Sequence, residues 1–173
     1  MPKTAGSRSS CAADVPQSHL ADLVDVVTLL ERAGVPCLLF GGWAEALLGL
    51  RPPGPHRDID LVCPADSFAA ADLALETGRL PDEIGAKRFP HKRAFAWRGL
   101  CCEILLIQDG RARPVTWFWG DVPLYWQAPV AHAQPVIRAG YAFELVSAAN
   151  LRLYRAGHRD TQPWCWRSFQ GVA

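Results

Sequence analysis

One short segment restricts the fold of this chain more than any other: the alternation of acidic and apolar residues at positions 58–62. Its sequence is Asp-Ile-Asp-Leu-Val, and Pro64 follows shortly afterwards. Alternation with a period of two is typical of a strand with one buried face, and a proline ends such a strand. On this strand Asp58 and Asp60 point to the same face, about 7 Å apart along the chain. The fold therefore has to place two carboxylates side by side on one surface of a sheet.

The rest of the chain predicts helices alternating with short strands. Apolar residues recur every three or four positions between Ser18 and Arg32, which predicts an amphipathic helix capped by Ser18 and ended by Gly34. The other predicted elements are strands at 35–40, 93–97, 101–107 and 141–146, and helices at 43–50, 67–76 and 147–155. The segment 114–135 predicts loop with short strand pieces. This order indicates an α/β (α+β) class, a small mixed β-sheet flanked by helices.

Length and composition favour one compact domain. The 173 residues predict a flexible tail at 1–17, one domain at 18–146, and a short C-terminal helix and tail at 147–173. The net charge of +1 demands neither nucleic acid nor an anionic membrane as partner. The six cysteines lack metal-ligand spacing, and residues 1–17 contain no long apolar stretch. We therefore expect reduced thiols and a cytoplasmic protein without a membrane anchor.

The acidic strand predicts a metal site beside a phosphate site. Two adjacent carboxylates with no basic residue inside the strand call for a divalent cation, and Mg²⁺ suits oxygen ligands that also reach phosphates. Gly41 and Gly42 lie between a predicted strand and a predicted helix, where glycine permits close backbone approach to a phosphate group. These two parts are typical of a phosphoryl-transfer centre, which also needs a further ligand or base.

Glu103 is the candidate for that third role. It stands alone among Ile104, Leu105, Leu106 and Ile107 in a predicted strand. An isolated acid in so apolar a strand is costly unless it has a partner. In a shared site Glu103 could bind metal or act as general base toward an acceptor hydroxyl. It could instead face solvent on the open side of a hairpin.

At this point the sequence resembles a known family. The glycine pair in GGWAEALLGL, the acidic strand in HRDIDL and the later acidic strand resemble the DNA polymerase beta-like nucleotidyltransferase superfamily, closest to the aminoglycoside and lincosamide nucleotidyltransferases. The resemblance also includes His91-Lys92-Arg93 and spans roughly residues 20–107. It implies the nucleotidyltransferase fold.

The resemblance also implies roles for individual residues. Gly41 and Gly42 would hold the triphosphate of an NTP, most simply ATP, and Asp58 and Asp60 would bind a pair of Mg²⁺ ions. Glu103 would complete the carboxylate triad, although members of the family commonly have Asp at this position. Two basic residues, Arg57 and Lys92, would steady phosphate charge. The product would be a nucleoside monophosphate joined to a hydroxyl of a small molecule, such as an aminoglycoside-like or lincosamide-like antibiotic.

The C-terminal part departs from the family pattern. Related enzymes often carry a helical domain that shapes the acceptor pocket, whereas here only a short helix and tail follow residue 146. Either a second protomer completes the pocket, as in a homodimer, or the segment 111–134 holds the acceptor. Two alternatives to the leading hypothesis remain: a toxin-like nucleotidyltransferase that modifies tRNA or protein, and a non-catalytic nucleotide-binding module.

Overall fold

A four-stranded mixed sheet forms the centre of the molecule. The computed structural model describes residues 18–108 and 113–162, so the predicted tail at 1–17 and the end of the predicted C-terminal tail lie outside the described residues. The central strands are β1 (Leu38–Leu39), β2 (Asp58–Pro64), β3 (Lys92–Trp97) and β4 (Leu100–Ile107), in the order β1-β2-β4-β3. β2 and β4 are parallel, and the two outer pairs are antiparallel. The predicted small mixed sheet is confirmed.

The parallel pairing of β2 with β4 follows from the length of the connection between them. Parallel neighbours need a crossover of a dozen or more residues. Here the crossover at 65–99 contains a helix, a 3-10 turn at Gly85–Lys87 and the edge strand β3. β3 then returns to β4 through the two-residue turn Arg98-Gly99, one residue shorter than predicted. The acidic strand is thereby paired on both sides, with β1 and with β4.

Four helices accompany the sheet: α1 (Leu20–Ala33), α2 (Gly41–Leu47), α3 (Ala69–Glu76) and α4 (Ala148–Gly157). Gly34 ends α1 in a left-handed conformation with φ of 73°, as predicted. The prediction that Ser18 caps α1 is wrong, because His19 is the N-cap. The Ser18 hydroxyl instead accepts a hydrogen bond from Trp43 Nε1 at 3.0 Å and donates one to the His56 carbonyl at 3.0 Å. Ser18 therefore ties the chain before α1 to α2 and to the loop before β2.

The strand predicted at 35–40 is only two residues long. Pro36 has no N–H to give to a sheet ladder, which limits the start of β1. At its other end Gly41 takes a positive φ of 62° and already begins α2, two residues before the predicted start. The glycine pair thus starts a helix directly after the strand.

Two small hairpins follow the central sheet. β5 (Val115–Phe118) pairs with β6 (Val122–Tyr125), confirming the strand pieces predicted for this segment. β7 (Val136–Arg138) pairs with β8 (Tyr141–Phe143), so the strand predicted at 141–146 ends earlier. Its continuation still touches the central sheet, since Leu145 forms a parallel bridge with Leu39.

One apolar core joins the helices to the sheet. Leu23 from α1, Ile59 from β2, Phe95 from β3 and Ile104 from β4 are all fully buried in the same cluster. In residues 18–108 and 113–162, the model contains no helix that is both long and apolar enough to cross a membrane.

Buried Asn150 attaches α4 to the chain after β6. Its side-chain oxygen accepts a hydrogen bond from the Gln127 N–H at 2.8 Å, and its amide donates to the Gln127 carbonyl at 2.9 Å. Ser147 caps the same helix by accepting from the Asn150 N–H. A buried side chain that satisfies two backbone groups is expensive to remove, because both groups then lack a partner away from water.

We expect Asn150→Ala to lower the free energy of unfolding by about 2–3 kcal/mol. Urea denaturation followed by circular dichroism measures this loss. Arg152→Ala, at an exposed position of the same helix, is the matched control and is expected to stay within about 0.5 kcal/mol of the parent. Equal stability of the two variants would contradict the role assigned to Asn150.

Candidate active site

The parallel pair β2 and β4 brings two predicted site residues together. Asp60 lies directly opposite Glu103, and Asp58 lies opposite Cys101. Neighbouring strands are about 4.8 Å apart, and residues in register point to the same face. Asp58, Asp60 and Glu103 therefore share one face of the sheet, with Asp58 exposed and the other two half-buried.

Asp60 is a half-buried carboxylate whose surroundings raise its pKa. In the part of the chain that the structure describes, neither Asp60 nor Asp58 forms a salt bridge. Burial, followed by the negative charges of Asp58 and Glu103, raises the pKa of Asp60 to about 7. The positive charges of Lys92 and Lys87 oppose this rise only in part. Asp60 is therefore partly protonated at neutral pH, and a cation bound beside it would favour the ionised form.

Glu103 has the opposite environment. Lys87, in the 3-10 turn before β3, donates to Oε1, and Lys92 at the start of β3 donates to Oε2. Burial acts to raise the pKa of Glu103, but the two lysine hydrogen bonds outweigh it and leave the pKa below its usual value. Glu103 is therefore ionised at neutral pH. The alternative that it faces solvent is wrong.

The glycine pair is required by the close approach of α2 to these residues. A Cβ added at Gly41 would lie 2.3 Å from Asp60 Oδ2, and Gly41 also has a positive φ. A Cβ added at Gly42 would lie 2.7 Å from Nδ1 of His56. The Phe40 N–H donates to the Asp60 carbonyl at 2.9 Å, so the backbone before the glycines is hydrogen-bonded to the acidic strand. The start of α2 is held directly against Asp60.

Two adjacent cavities open on this arrangement. The first, of about 370 Å³, is lined by Asp60, Glu103, both lysines and several aromatic residues. The second, of about 280 Å³, is lined by Gly41, Gly42, Glu45 and Arg155 among others. Both cavities share the same dividing wall, which consists of Phe40, Tyr154 and His158.

Tyr154 of α4 is a site residue that the sequence analysis missed. Burial and then the charges of Asp60 and Glu103 raise the pKa of its hydroxyl to about 12, so the phenol stays protonated beside them. Its ring packs edge-on against Phe40 with centroids 4.8 Å apart. The helical stripe of α4 was visible in the sequence, but nothing in it indicated which residue would reach the acidic strand.

The segment after β4 and the C-terminal helix both contribute residues to the first cavity. Phe118 and Trp119 from the segment 113–134 and Tyr154 from α4 line the first cavity together. The hairpin and the C-terminal helix thus both contribute to the wall of this cavity, and the homodimer stays a prediction. Arg111, Trp164 and Trp166 lie outside the described residues.

The basic residues between 87 and 93 do not act as one patch. Arg93 pairs with Asp72 at 2.6 Å, and Arg88 pairs with Asp72 and Glu83. His91 is buried, and its Nδ1 accepts a hydrogen bond from the Trp119 N–H at 3.0 Å. Within this group only Lys87 and Lys92 line the first cavity.

Two further site predictions stay predictions. Arg57, at the entry to β2, is exposed and lines neither cavity. Within residues 18–108 and 113–162, no three His, Cys, Asp or Glu side chains are grouped closely enough to hold a metal ion. Asp58, Asp60 and Glu103 are thus not grouped as three metal ligands in this structure, and their metal role stays a prediction.

Comparison with known proteins supports a nucleotidyltransferase class. The family model for aminoglycoside-2''-adenylyltransferase matches residues 22–81, which include the glycine pair and both aspartates. No curated protein sequence matches the chain.

Several solved structures share the fold. The lincosamide antibiotic adenylyltransferase LnuA with bound lincomycin is 16% identical, has a TM-score of 0.63, and is matched over 89% of this chain and 94% of its own. A Thermotoga maritima protein described as a nucleotidyltransferase is 15% identical, with a TM-score of 0.58 over 87% of this chain and 91% of its own. ANT(2'')-Ia in complex with adenylyl-2''-tobramycin is 16% identical, with a TM-score of 0.52 over 86% and 82%. The chain has the nucleotidyltransferase fold, and its resemblance to the aminoglycoside and lincosamide nucleotidyltransferases is confirmed.

The contact between Gly41 and Asp60 predicts the effect of Gly41→Ala. The variant suffers both left-handed backbone strain and a collision with a carboxylate, so we expect a loss of about 3 kcal/mol in unfolding free energy. Gly49→Ala is the matched control, since Gly49 has φ of 70° but free space around its Cα. It is expected to lose only about 1 kcal/mol from backbone strain. Thermal denaturation compares the two, and equal losses would show that the contact with Asp60 costs nothing.

Buried His91 predicts acid sensitivity. Burial and then the positive charge of Lys92 lower the pKa of His91 from 6.5 to about 4. Between these two pH values His91 is protonated in the unfolded chain but neutral in the folded chain. The free energy of unfolding therefore falls as the pH drops from 6.5 toward 4, by about 3 kcal/mol at most. In His91→Gln we expect lower stability at pH 7.5 but a flatter pH slope in this window, measured by urea denaturation at several pH values. An unchanged slope would contradict the assignment.

Proposed function

We propose that this protein transfers a nucleoside monophosphate from a magnesium-bound nucleoside triphosphate to a hydroxyl group of a small-molecule acceptor. The observation that carries the proposal is the register of β2 and β4, which places Asp60 opposite Glu103 while Gly41 packs against Asp60. The site combines Asp58 and Asp60, the glycine backbone next to them, and Glu103, which is hydrogen-bonded to two lysines.

The chemistry of the donor set fits magnesium. Asp58 and Asp60 share a face, have no salt bridge among the described residues, and repel one another. A divalent cation would relieve this repulsion, and Mg²⁺ prefers carboxylate and phosphate oxygens. When bound, Mg²⁺ would stabilise negative charge on the triphosphate and the leaving group. We propose Asp58 and Asp60 as its protein ligands, with Glu103 completing the acidic triad.

The second cavity suits the triphosphate. Its floor is the backbone of Gly41 and Gly42, where no side chain keeps a phosphate at a distance. Lys92 lines the neighbouring first cavity from β3, and Arg155 pairs with Glu45 in the lining of the second at 2.5 Å. We propose ATP as the nucleotide because the similar proteins are adenylyltransferases.

The first cavity suits the acceptor, because Glu103 lies in its wall. The acceptor hydroxyl oxygen attacks the α-phosphorus, the bond from that phosphorus to the oxygen bridging to the β-phosphate breaks, and pyrophosphate leaves. The hydroxyl proton passes to the Glu103 carboxylate, which the lysines keep ionised before the reaction. Because LnuA is described with lincomycin and ANT(2'')-Ia with adenylyl-tobramycin, we propose an antibiotic as acceptor.

The proposal predicts transfer of label from α-phosphate-labelled ATP to an acceptor in the presence of Mg²⁺. Asp60→Asn keeps the side-chain shape but removes the charge, so we expect a rate loss of about 100-fold or more, equivalent to about 3 kcal/mol of transition-state stabilisation. Thin-layer or liquid chromatography of the product measures it. Asp66→Asn, at an exposed position after β2, is the matched control and should retain the parent rate.

The acceptor panel separates the alternatives. It contains lincosamides, aminoglycosides, tRNA and a mixed protein fraction, each with and without Mg²⁺. Label on tRNA or protein would support the toxin-like alternative, and nucleotide binding without any transfer would support a non-catalytic module. Full activity of Asp60→Asn would remove the basis of the proposed mechanism.

A further inference from the structure

Aromatic rings form a substantial part of the lining of the first cavity. Five rings line it from different parts of the chain: Phe40, Phe89, Phe118, Trp119 and Tyr154. They hold one another in place, with Phe89 edge-on to Trp119 at 4.8 Å between centroids and Tyr154 edge-on to Phe40 at the same distance. Rings fixed by such contacts form a rigid apolar surface that gains free energy by covering apolar parts of a ligand.

Two acidic side chains and two lysine side chains line this cavity in the described part of the chain. Asp60 and Glu103 are opposed by Lys87 and Lys92, and both lysines lie directly on the Glu103 oxygens. A ligand ammonium group that approached Glu103 would therefore be repelled by the two lysine ammonium groups, whereas a neutral hydroxyl can still use a free lone pair of the carboxylate. The remaining acid, Asp60, is the residue that we assign to the metal.

We propose that the acceptor is a compact molecule with at most one positive charge, which carries an apolar ring or chain beside its reactive hydroxyl. This inference rests on the proposed function and narrows its substrate class. A polycation with several ammonium groups does not fit, because the acidic lining residues in the described part of the chain are Glu103, which contacts two lysines, and Asp60, which we assign to the metal. The aromatic walls select the apolar part, and Glu103 with its lysines receives the hydroxyl.

The test compares two acceptors of opposite character. Lincomycin has one basic amine and an apolar chain, whereas tobramycin has several amino groups and no apolar chain. Binding of each is measured by isothermal titration calorimetry with Mg²⁺ and α,β-methylene ATP, an analogue whose bridging carbon blocks transfer, at 0.15 M salt. We expect lincomycin to bind at least ten times more tightly than tobramycin.

Two variants test the physical cause of this preference. Lys87→Met removes one positive charge beside Glu103 and should raise tobramycin affinity several-fold, while Arg98→Met, at an exposed turn outside the cavity, should not. Phe89→Ser removes part of the apolar wall and should weaken lincomycin binding several-fold. Trp117→Ser is its control, because Trp117 lies on β5 with its side chain exposed and lines neither cavity.

The outcomes separate this inference from the proposed function. Tobramycin binding equal to or tighter than that of lincomycin, including no measurable binding of lincomycin, overturns the inference. If transfer then still depends on Asp60 and prefers tobramycin, the proposed function stands and only the substrate class is wrong. Absence of Asp60-dependent transfer to every acceptor instead overturns the proposed function itself.

Discussion

The site is arranged around one half-buried carboxylate, Asp60, on one face of a mixed sheet. No salt bridge within the described residues neutralises this carboxylate. Removing a charge from water costs several kcal/mol unless a partner compensates it. Here the nearest carboxylates, Asp58 and Glu103, add to the cost, and Lys87 and Lys92 offset it only partly. A sheet position that was chosen for stability alone would carry an apolar residue, as Ile59 and Leu61 do on the opposite face. The burial and the neighbouring carboxylates that raise the pKa of Asp60 are the strongest physical argument for a cationic ligand at this position.

The neighbouring elements are arranged around that charge in two different ways. Two lysines neutralise Glu103 by direct contact, whereas Asp60 receives a glycine backbone instead of a cation. The acidic face of the sheet therefore has two different parts. Glu103 is paired with lysines, whereas Asp60 has no salt bridge within the described residues. The division is the basis of the two different roles that we propose for Glu103 and Asp60. It also explains why the glycine pair cannot carry side chains.

The helix α4 contributes to the site through three side-chain positions. Asn150 attaches it to the segment after β6, Arg155 pairs with Glu45 of α2, and Tyr154 forms the wall between the two cavities. Five aromatic rings, two acidic residues and two lysines line the first cavity in the described part of the chain. This lining is the basis of the acceptor class that we propose.

The sequence by itself determined the acidic strand, the glycine pair, the hairpin that carries Glu103 and the class of fold, because these depend on local alternation and on the backbone limits of glycine and proline. It did not determine the boundaries of β1 and α2, where Pro36 and the contact of Gly41 with Asp60 override the apolar pattern. Nor could it assign Lys87 to Glu103 or Tyr154 to the cavities, since 16 residues separate the first pair and 94 residues separate Tyr154 from Asp60. Only the parallel pairing of β2 with β4 and the docking of α4 brought these side chains together, because contacts between distant segments depend on how the whole core packs rather than on local pattern.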